Sequence, residues 1–398
     1  MADWDEKQGM RGEHEISRRR VVAAAVLAPL AARGWLVEAA TAGERRILLV
    51  GTQTTEGSRG IYSYRWDAAK GEMEEQVLAA EVAMPTFVAL APGGRHVYCT
   101  NELGEGLGGG PGKVTGFRLD RATRKLTEIN AVSSEGAAPC HVALDRTARA
   151  LFAANYFGGS AVSFRVGSDG RLSDAVEDVK YTKHGPNKER QDTAHAHRVT
   201  VSPDNRFLLV NDLGGDAIHI YRLDAATAKL TPNDPPQWKA TPGSGPRSLR
   251  FHPNGRWVYD MNELDQTAEL LEWDATAGTL TSRQRVQLTP DGPDASSTAS
   301  ESAIDRRGEF AYFAVRGIDS LITCSIDAST GKLTVLDRRH CGGKKPRHIA
   351  LDPSERWLLV ANEISGNIAV FRRDLKSGKL SESGKEFAIS KPQCLVFA

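Results

Sequence analysis

The chain repeats one β-hairpin pattern about every fifty residues, and this repeat restricts its fold more than any other feature. In residues 245–263, apolar residues alternate with polar ones, a Pro-Asn-Gly turn follows, and a mostly apolar strand returns. Six copies begin at Met84, Ala138, His195, Gly245, Ala299 and Lys345, and a seventh is split between the two ends of the chain. Such a period, filled with short strands, predicts an all-β, seven-bladed β-propeller with four antiparallel strands in each blade.

A second marker has the same period. Turns of the form Asp-x-x-x-Gly-Lys-Leu, or close variants, end at positions 46 to 58 residues apart, namely Met73, Leu126, Leu172, Leu230, Leu280, Leu333 and Leu380. The split copy has its first strand at residues 391–397 and its second at residues 45–53. Because an open ring would expose unpaired strand edges, we expect these two strands to pair and to build blade seven from both termini.

The first 42 residues differ from the rest of the chain. Consecutive arginines at residues 18–20 precede an apolar run at residues 21–32, and a small Ala-Thr-Ala segment follows at residues 40–42. This order is typical of an export signal, and the arginines indicate the twin-arginine type. The run is shorter than the roughly 20 apolar residues that span a bilayer. A disordered basic tail is the alternative.

We therefore expect an export signal and linker at residues 1–42 and a propeller domain at residues 43–398. The expected location is the periplasm or another exported compartment. The twin-arginine translocase would be a partner during export, and the mature domain would not bind a membrane.

Composition excludes several other classes of function. Lys and Arg number 51 against 50 Asp and Glu, and a net charge of +1 argues against a nucleic-acid partner. The five cysteines are widely spaced and form no C-x-x-C motif, so we expect buried thiols rather than disulfides or a zinc site. We expect no cofactor.

The ends of the repeated strands indicate where a site would lie. In each hairpin, the start of the first strand and the end of the second lie at the same end of the blade, because the strands are antiparallel. These positions should form rings around one mouth of the central channel. Strands buried on both faces should be apolar throughout, yet these ends are polar, which makes the mouth the candidate site.

Polar residues at the mouth also have a structural interpretation, because a wet channel needs a polar lining. The asparagines that recur at strand ends are expected to bind backbone and hold neighbouring blades. Residues that depart from the repeat indicate function instead, and these are His197, Arg247, Glu301, Arg316 and Arg347. The three arginines come from consecutive blades and predict a small anionic substrate, since guanidinium groups bind carboxylate or phosphate.

Seven segments carry a further signal, namely VGTQTTEGSRGIY, GAAPCHVALD, QDTAHAHRVTVSPD, LTPNDPP, GPRSLRFHPNGRWVY, NELD and GGKKPRHIALDP. Together they resemble the bacterial lactonase family of seven-bladed propellers, whose named members are 6-phosphogluconolactonases and whose relatives include a fungal carboxymuconate-cyclising enzyme. The resemblance runs from about residue 47 to the C-terminus. It implies hydrolysis of a sugar lactone, in the best-known case 6-phosphogluconolactone, to the open-chain acid. Val315 and Ser248 depart from the family pattern, in which Asn and His are usual.

The resemblance implies roles for the residues of the mouth. His197 or His141 would act as general base on water. Arg247 or Arg316 would stabilise the oxyanion, and Glu301 would orient the histidine or protonate the leaving ring oxygen. The predicted substrate-binding residues are His195, Arg316, Arg347, Lys345, Asn262, Glu263 and Gln53, of which Arg347 and Lys345 would hold an anionic end. No metal is expected, because no carboxylate lies at tight ligand spacing beside the histidines.

Two other functions stay open at this point. One is a non-catalytic exported propeller that binds a ligand or a partner protein, and the other is a lactonising isomerase of the carboxymuconate type. Export also bears on the substrate: the phosphorylated lactone is cytoplasmic, so an exported enzyme would act on an unphosphorylated aldonolactone or another cyclic ester.

Overall fold

The computed structural model describes residues 46–104 and 111–398, and the predicted export signal lies outside them. The described residues form 28 β-strands in seven four-stranded antiparallel sheets. The predicted all-β, seven-bladed architecture is confirmed. Within these residues, no helix has the length and apolarity that a membrane crossing requires.

The strands follow the chain from blade to blade. The N-terminal strands are β1 (Arg46–Thr52), β2 (Gly60–Asp67) and β3 (Glu72–Glu81). Blade one contains β4 (Val88–Leu90), β5 (His96–Asn101), β6 (Lys113–Leu119) and β7 (Leu126–Ser133). Blade two contains β8 (Pro139–Leu144), β9 (Ala150–Asn155), β10 (Ser160–Val166) and β11 (Leu172–Lys180). Blade three contains β12 (Ala196–Val201), β13 (Phe207–Asp212), β14 (Ala217–Asp224) and β15 (Lys229–Lys239).

The remaining blades repeat this order. Blade four contains β16 (Pro246–Phe251), β17 (Trp257–Asn262), β18 (Thr267–Asp274) and β19 (Thr279–Gln287). Blade five contains β20 (Thr298–Ile304), β21 (Phe310–Arg316), β22 (Ser320–Ile326) and β23 (Leu333–His340). Blade six contains β24 (Pro346–Leu351), β25 (Trp357–Asn362), β26 (Asn367–Arg373) and β27 (Leu380–Ala388). The last strand, β28 (Pro392–Phe397), joins β1, β2 and β3 as blade seven.

The two ends of the chain close the ring, as predicted. Strand β28 pairs antiparallel with β1, with Leu49 opposite Val396, and becomes the innermost strand of blade seven. The innermost strands of successive blades contact one another around the whole ring, including the contact of β28 with β4. The start of each first strand and the end of each second strand therefore lie at one mouth of the channel.

The marker turns join neighbouring blades. Gly331 of blade five has a φ of 73°, and a Cβ at this position would meet the Trp257 ring of blade four at 2.5 Å. The Tyr259 hydroxyl of blade four donates to the Gly331 carbonyl at 2.7 Å. Only glycine satisfies both the left-handed backbone and the close ring contact. The repeated glycine therefore forms a contact between blades.

The core lies between blades rather than within them. The contact between blades six and seven, which we call the closing joint, is one example. There, Trp66 and Leu395 of blade seven pack in one buried cluster with Trp357 and Leu359 of blade six. The Trp66 indole donates to Asp352 at 3.2 Å across the same joint. The five cysteines are all buried, as the sequence predicts.

Candidate active site in the channel mouth

Six blades have a β-bulge at the mouth end of their first strand. In each bulge, one residue of the first strand lies between two paired residues and has no partner on the second strand. These unpaired residues are Cys140, His197, Arg247, Ser300, Arg347 and Gln393. A bulge re-aims the side chain that it carries and is common beside active sites. Three sequence-predicted site residues, His197, Arg247 and Arg347, occupy bulge positions.

The first group of polar contacts at the mouth is the Glu263 cluster, formed by Glu263, Arg190, Arg247 and Arg316. Glu263 Oε2 lies 2.8 Å from Arg247 Nε and 3.0 Å from Arg316 Nη2. Glu263 Oε1 accepts a hydrogen bond from Arg190 Nη2 at 2.5 Å. Burial alone would raise the pKa of Glu263, but Arg316, Arg247 and Arg190 lower it well below its usual range. Three guanidinium groups thus share one carboxylate, which leaves this side of the mouth positively charged.

His197 lies beside the Glu263 cluster as a neutral base. Burial, followed by the charges of Arg247 and Arg347, lowers the pKa of His197 well below its usual range. Its ring packs edge-on against Tyr156, with 5.7 Å between ring centroids. Among the described residues, no side chain or backbone group hydrogen-bonds to the His197 ring. A neutral imidazole without a protein partner can accept a proton from water.

The other two predicted histidines are held by the protein. The ring nitrogens of His195 lie 3.0 Å from the Tyr156 carbonyl oxygen and 3.3 Å from Asp192 Oδ1, and its ring stacks on Tyr156. His141 Nδ1 accepts a hydrogen bond from the backbone of Val199 at 3.4 Å. Both nitrogens of His195 thus have partners within the protein.

The second polar group is the Glu301 cluster, formed by Arg198, Ser248, Arg250, Glu301 and His348. Glu301 accepts hydrogen bonds from Arg198 Nη1 at 3.1 Å, Ser248 Oγ at 3.0 Å and Arg250 Nη2 at 3.2 Å. Burial alone would raise the pKa of Glu301, but Arg198 and Arg250 lower it well below its usual range. His348 Nε2 lies 3.9 Å from Glu301 Oε2, so the cluster joins blades three to six around a carboxylate that favours its charged form.

This arrangement bears on the predicted roles of Glu301 and His141. Among the described residues, Glu301 and His197 share no hydrogen bond or ion pair, and a carboxylate that prefers its charged form is a poor proton donor. Burial, followed by the charge of Arg198, lowers the pKa of His141 well below its usual range, and the charge of Glu301 acts in the opposite direction. Both residues therefore lie with the Glu301 cluster rather than with His197.

Replacing Glu301 with glutamine is expected to lower the free energy of unfolding by about 1.5–3 kcal/mol, because buried Arg198 and Arg250 lose a charged hydrogen-bond acceptor. The folded-state pKa of Glu301 is depressed, so its stabilisation is present above the unfolded pKa of about 4.3 and is lost as the pH falls. Denaturant unfolding at several pH values checks this. The difference from wild type should shrink in acid, whereas exposed Glu309→Gln in the same blade should change little at any pH.

The remaining predicted residues divide into two groups. Arg347 forms no hydrogen bond or ion pair among the described residues, although Glu102, Glu363 and Glu263 raise its pKa against the effect of burial. Lys345 Nζ donates to Glu363 at 3.0 Å. Both residues belong to the mouth, on the side of blade six.

Asn262 and Gln53 have contacts of a structural kind, and no described contact places either side chain in the open part of the mouth. The Asn262 amide is buried and donates to Thr267 at 3.0 Å. Asn101 and Asn155, by contrast, donate to backbone carbonyls at 2.7 Å. The bonds of Asn101 and Asn155 fit the structural interpretation of the strand-end asparagines, whereas Asn262 bonds to a side chain of its own blade. The backbone N–H of Gln53 donates to Lys391 and extends the pairing of β1 with β28.

Four further residues lie in these clusters or beside them without a predicted role, namely Tyr156, Arg190, Arg198 and Glu102. Tyr156, Arg198 and Glu102 stand at repeated strand ends, so the repeat could have identified them. Arg190 lies in the segment between β11 and β12, and no pattern connects it with Glu263, which is 73 residues away. Within the described ranges, no three His, Cys, Asp or Glu side chains form a cluster that could bind a metal ion.

Comparison with known proteins agrees with this architecture. The family described as "Lactonase, 7-bladed beta-propeller" matches residues 47–397. A 6-phosphogluconolactonase of Bacillus subtilis is 33% identical over 348 residues, which cover 87% of this chain and 97% of the relative. A 6-phosphogluconolactonase of Formosa agariphila is 31% identical over 334 residues, which cover 83% and 93%.

A solved structure is similar over nearly its whole length. It is a periplasmic gluconolactonase of Pseudomonas aeruginosa, with 32% identity, a TM-score of 0.85, and coverage of 89% of this chain and 99% of that one. The resemblance drawn from the sequence segments is confirmed. The chain therefore belongs to the lactonase family of seven-bladed β-propellers, which are carboxylic ester hydrolases.

Proposed function

We propose that this enzyme hydrolyses a sugar lactone of the 6-phosphogluconolactone type to the open-chain aldonic acid, in the channel mouth. The observation that carries the proposal is the neutral, unpartnered ring of His197 beside arginines that share the single carboxylate of Glu263. Relatives named 6-phosphogluconolactonase at 31–33% identity support the same chemistry.

The geometry supports a division of labour in ester hydrolysis. His197 takes a proton from the water that attacks the lactone carbonyl carbon, a contribution of about 10²–10⁴ in rate. Arg247 and Arg316 stabilise the negative charge that develops on the carbonyl oxygen. Glu263 holds both guanidinium groups in place through its contacts at 2.8 and 3.0 Å. Collapse of the tetrahedral intermediate breaks the bond to the ring oxygen and leaves a carboxylate and a free hydroxyl.

Acid release in weakly buffered solution tests the proposal. Gluconolactone and 6-phosphogluconolactone would each be compared with their spontaneous hydrolysis, and acceleration of either supports it. If neither is accelerated, the proposal fails. Loss of diene absorbance from a carboxymuconate would then indicate the cyclising reaction, and inactivity in both assays would favour a binding propeller.

Arg347 is expected to bind the anionic end of a phosphorylated lactone, with Lys345 beside it, because its guanidinium has no partner among the described residues. Replacing Arg347 with methionine should raise KM for 6-phosphogluconolactone about tenfold, which corresponds to about 1.4 kcal/mol. KM for gluconolactone should change little. Arg372→Met, at an exposed position of β26 in the same blade, is the control. Equal changes for both substrates would contradict the assignment.

The place of action is part of the proposal. A periplasmic gluconolactonase is a structural relative, and residues 1–42 have the order of a twin-arginine export signal. Export would favour an unphosphorylated substrate. Cell fractionation tests this by comparing the full chain with a variant in which the arginines at residues 18–20 are replaced with lysine. The wild type should be exported and the lysine variant retained in the cytoplasm.

A further inference from the structure

Three blades end their second strand with the same Asn-Glu pair, and the three glutamates occupy equivalent positions. The backbone N–H of Glu102 donates to Met84, that of Glu263 to Gly245 and that of Glu363 to Lys345, at 2.9, 2.8 and 3.0 Å. Each acceptor is the residue at or just before the start of that blade's hairpin copy. The fold therefore presents the same side chain to the mouth from blades one, four and six.

The surroundings of the three carboxyl groups differ sharply. Glu263 contacts three arginines, and Glu363 accepts from Lys345 at 3.0 Å. Glu102 forms no ion pair within the described part of the chain, and its Oε2 atom is buried without a hydrogen-bond partner. The protein thus neutralises two of three equivalent carboxylates and leaves the third without a counter-ion in contact.

The protonation preferences follow these surroundings. Burial alone would raise the pKa of both Glu263 and Glu363, but the neighbouring cations lower it in each case. For Glu102 the effect of burial is the larger one, so its pKa is raised although Arg347 and the Thr86 hydroxyl lower it. Equivalent groups whose environments separate their pKa values are a common basis for different catalytic roles.

Two further polar groups lie on the neighbouring blades. Gln393, at the bulge of β28, is 3% exposed, and its amide interacts with the Glu363 carboxylate. The Arg347 guanidinium, at the bulge of β24, has no hydrogen bond or ion pair among the described residues. Strands β24, β28 and β4 are adjacent around the ring. Glu102 Oε2 and the Arg347 guanidinium are therefore left available to a bound ligand on neighbouring strands.

We propose that Glu102 is the general acid of the lactone hydrolysis and donates its proton to the ring oxygen of the substrate. This inference rests on the proposed function. His197 takes one proton from the attacking water, the acyl–oxygen bond breaks, and the departing alkoxide receives the proton of Glu102. Solvent then reprotonates Glu102 and removes the proton from His197, so one lactone and one water give one hydroxy acid.

The groups that face Glu102 limit what else could titrate in its place. They are Arg347, Glu363, Arg247, Cys140 and the hydroxyl of Thr86. The arginines keep their charge at neutral pH, Glu363 has a lowered pKa, and burial raises the pKa of Cys140. Activity should therefore fall on the alkaline side as Glu102 loses its proton, and on the acid side as His197 gains one.

Glu102→Gln tests the inference, with Glu128→Gln on the exposed outer strand of the same blade as the matched control. We expect kcat of Glu102→Gln on the accepted lactone to fall about 10²-fold, and the alkaline limb of its pH profile to disappear. Glu128→Gln should match wild type in both respects. A Glu102→Gln variant with wild-type kcat and an unchanged alkaline limb would overturn the inference.

Glu102→Asp keeps the experiment decisive if the glutamine variant folds poorly. Aspartate retains a proton donor, so Glu102→Asp should be more active than Glu102→Gln and should keep an alkaline limb. Equal kcat values in folded samples of the two variants would contradict the acid role. Such a result would leave lactone hydrolysis itself intact, whereas wild-type inactivity on every lactone would remove the proposed function.

Discussion

Replacing His197 with alanine is expected to lower kcat/KM for the accepted lactone by about 10²–10⁴, the usual contribution of a general base. Burial, followed by the charges of Arg247 and Arg347, lowers the pKa of the ring, and no described group hydrogen-bonds to its nitrogens. Water in the mouth would lose its proton acceptor, while the arginines that stabilise the oxyanion would stay in place. Acid-release kinetics under kcat/KM conditions measure the loss.

His184→Ala is the matched control, because this histidine lies exposed in the segment that follows β11. It should retain wild-type kinetics. The depressed pKa of His197 also predicts that wild-type activity persists below pH 6.5, the ordinary pKa of histidine, and declines only in more acidic solution. A folded His197→Ala variant with wild-type turnover would show that another group activates the water.

Deleting residues 392–398 is expected to prevent the chain from forming a stable propeller. Strand β28 is the innermost strand of blade seven, and its pairing with β1 joins the two ends of the described chain in one sheet. Its removal would expose the edge of β1 and take buried Cys394 and Leu395 out of the contacts with blades one and six. Soluble yield, far-UV circular dichroism and thermal unfolding check this result.

Two variants separate ring closure from a general effect of truncation. Deletion of residues 1–42 should leave the melting temperature of the propeller unchanged, because these residues precede β1. Leu395→Ala, which leaves β28 in place, should cost about 2–5 kcal/mol in the free energy of unfolding. A β28 deletion that unfolds cooperatively at the wild-type temperature would show that the ring is stable without its closing strand.

The amino-acid sequence was sufficient for the architecture, because the signals for it are local and repeated. Alternating apolar residues specify each strand, and a glycine such as Gly331 marks each turn where one blade contacts the next. Seven copies, one of them split, specify the number of blades and the closure by β28 and β1. Antiparallel pairing then places the polar strand ends at one mouth, where the structure does bring together His197, Arg247, Glu263 and Arg316.

The partners within that mouth depended on tertiary structure. The bulges displace Arg247 and Arg347 from the alternation of their strands, and they appear only when two strands pair. Arg190 and Glu263 are 73 residues apart, and Arg198 and Glu301 are 103 apart, so no local pattern records either contact. Glu102 and Glu263 follow asparagine at the same position of the repeat, yet burial raises the pKa of Glu102 whereas arginines lower that of Glu263. The difference arises because Glu263 contacts arginines of other elements and Glu102 forms no ion pair among the described residues, and only the closed ring decides which residues are neighbours.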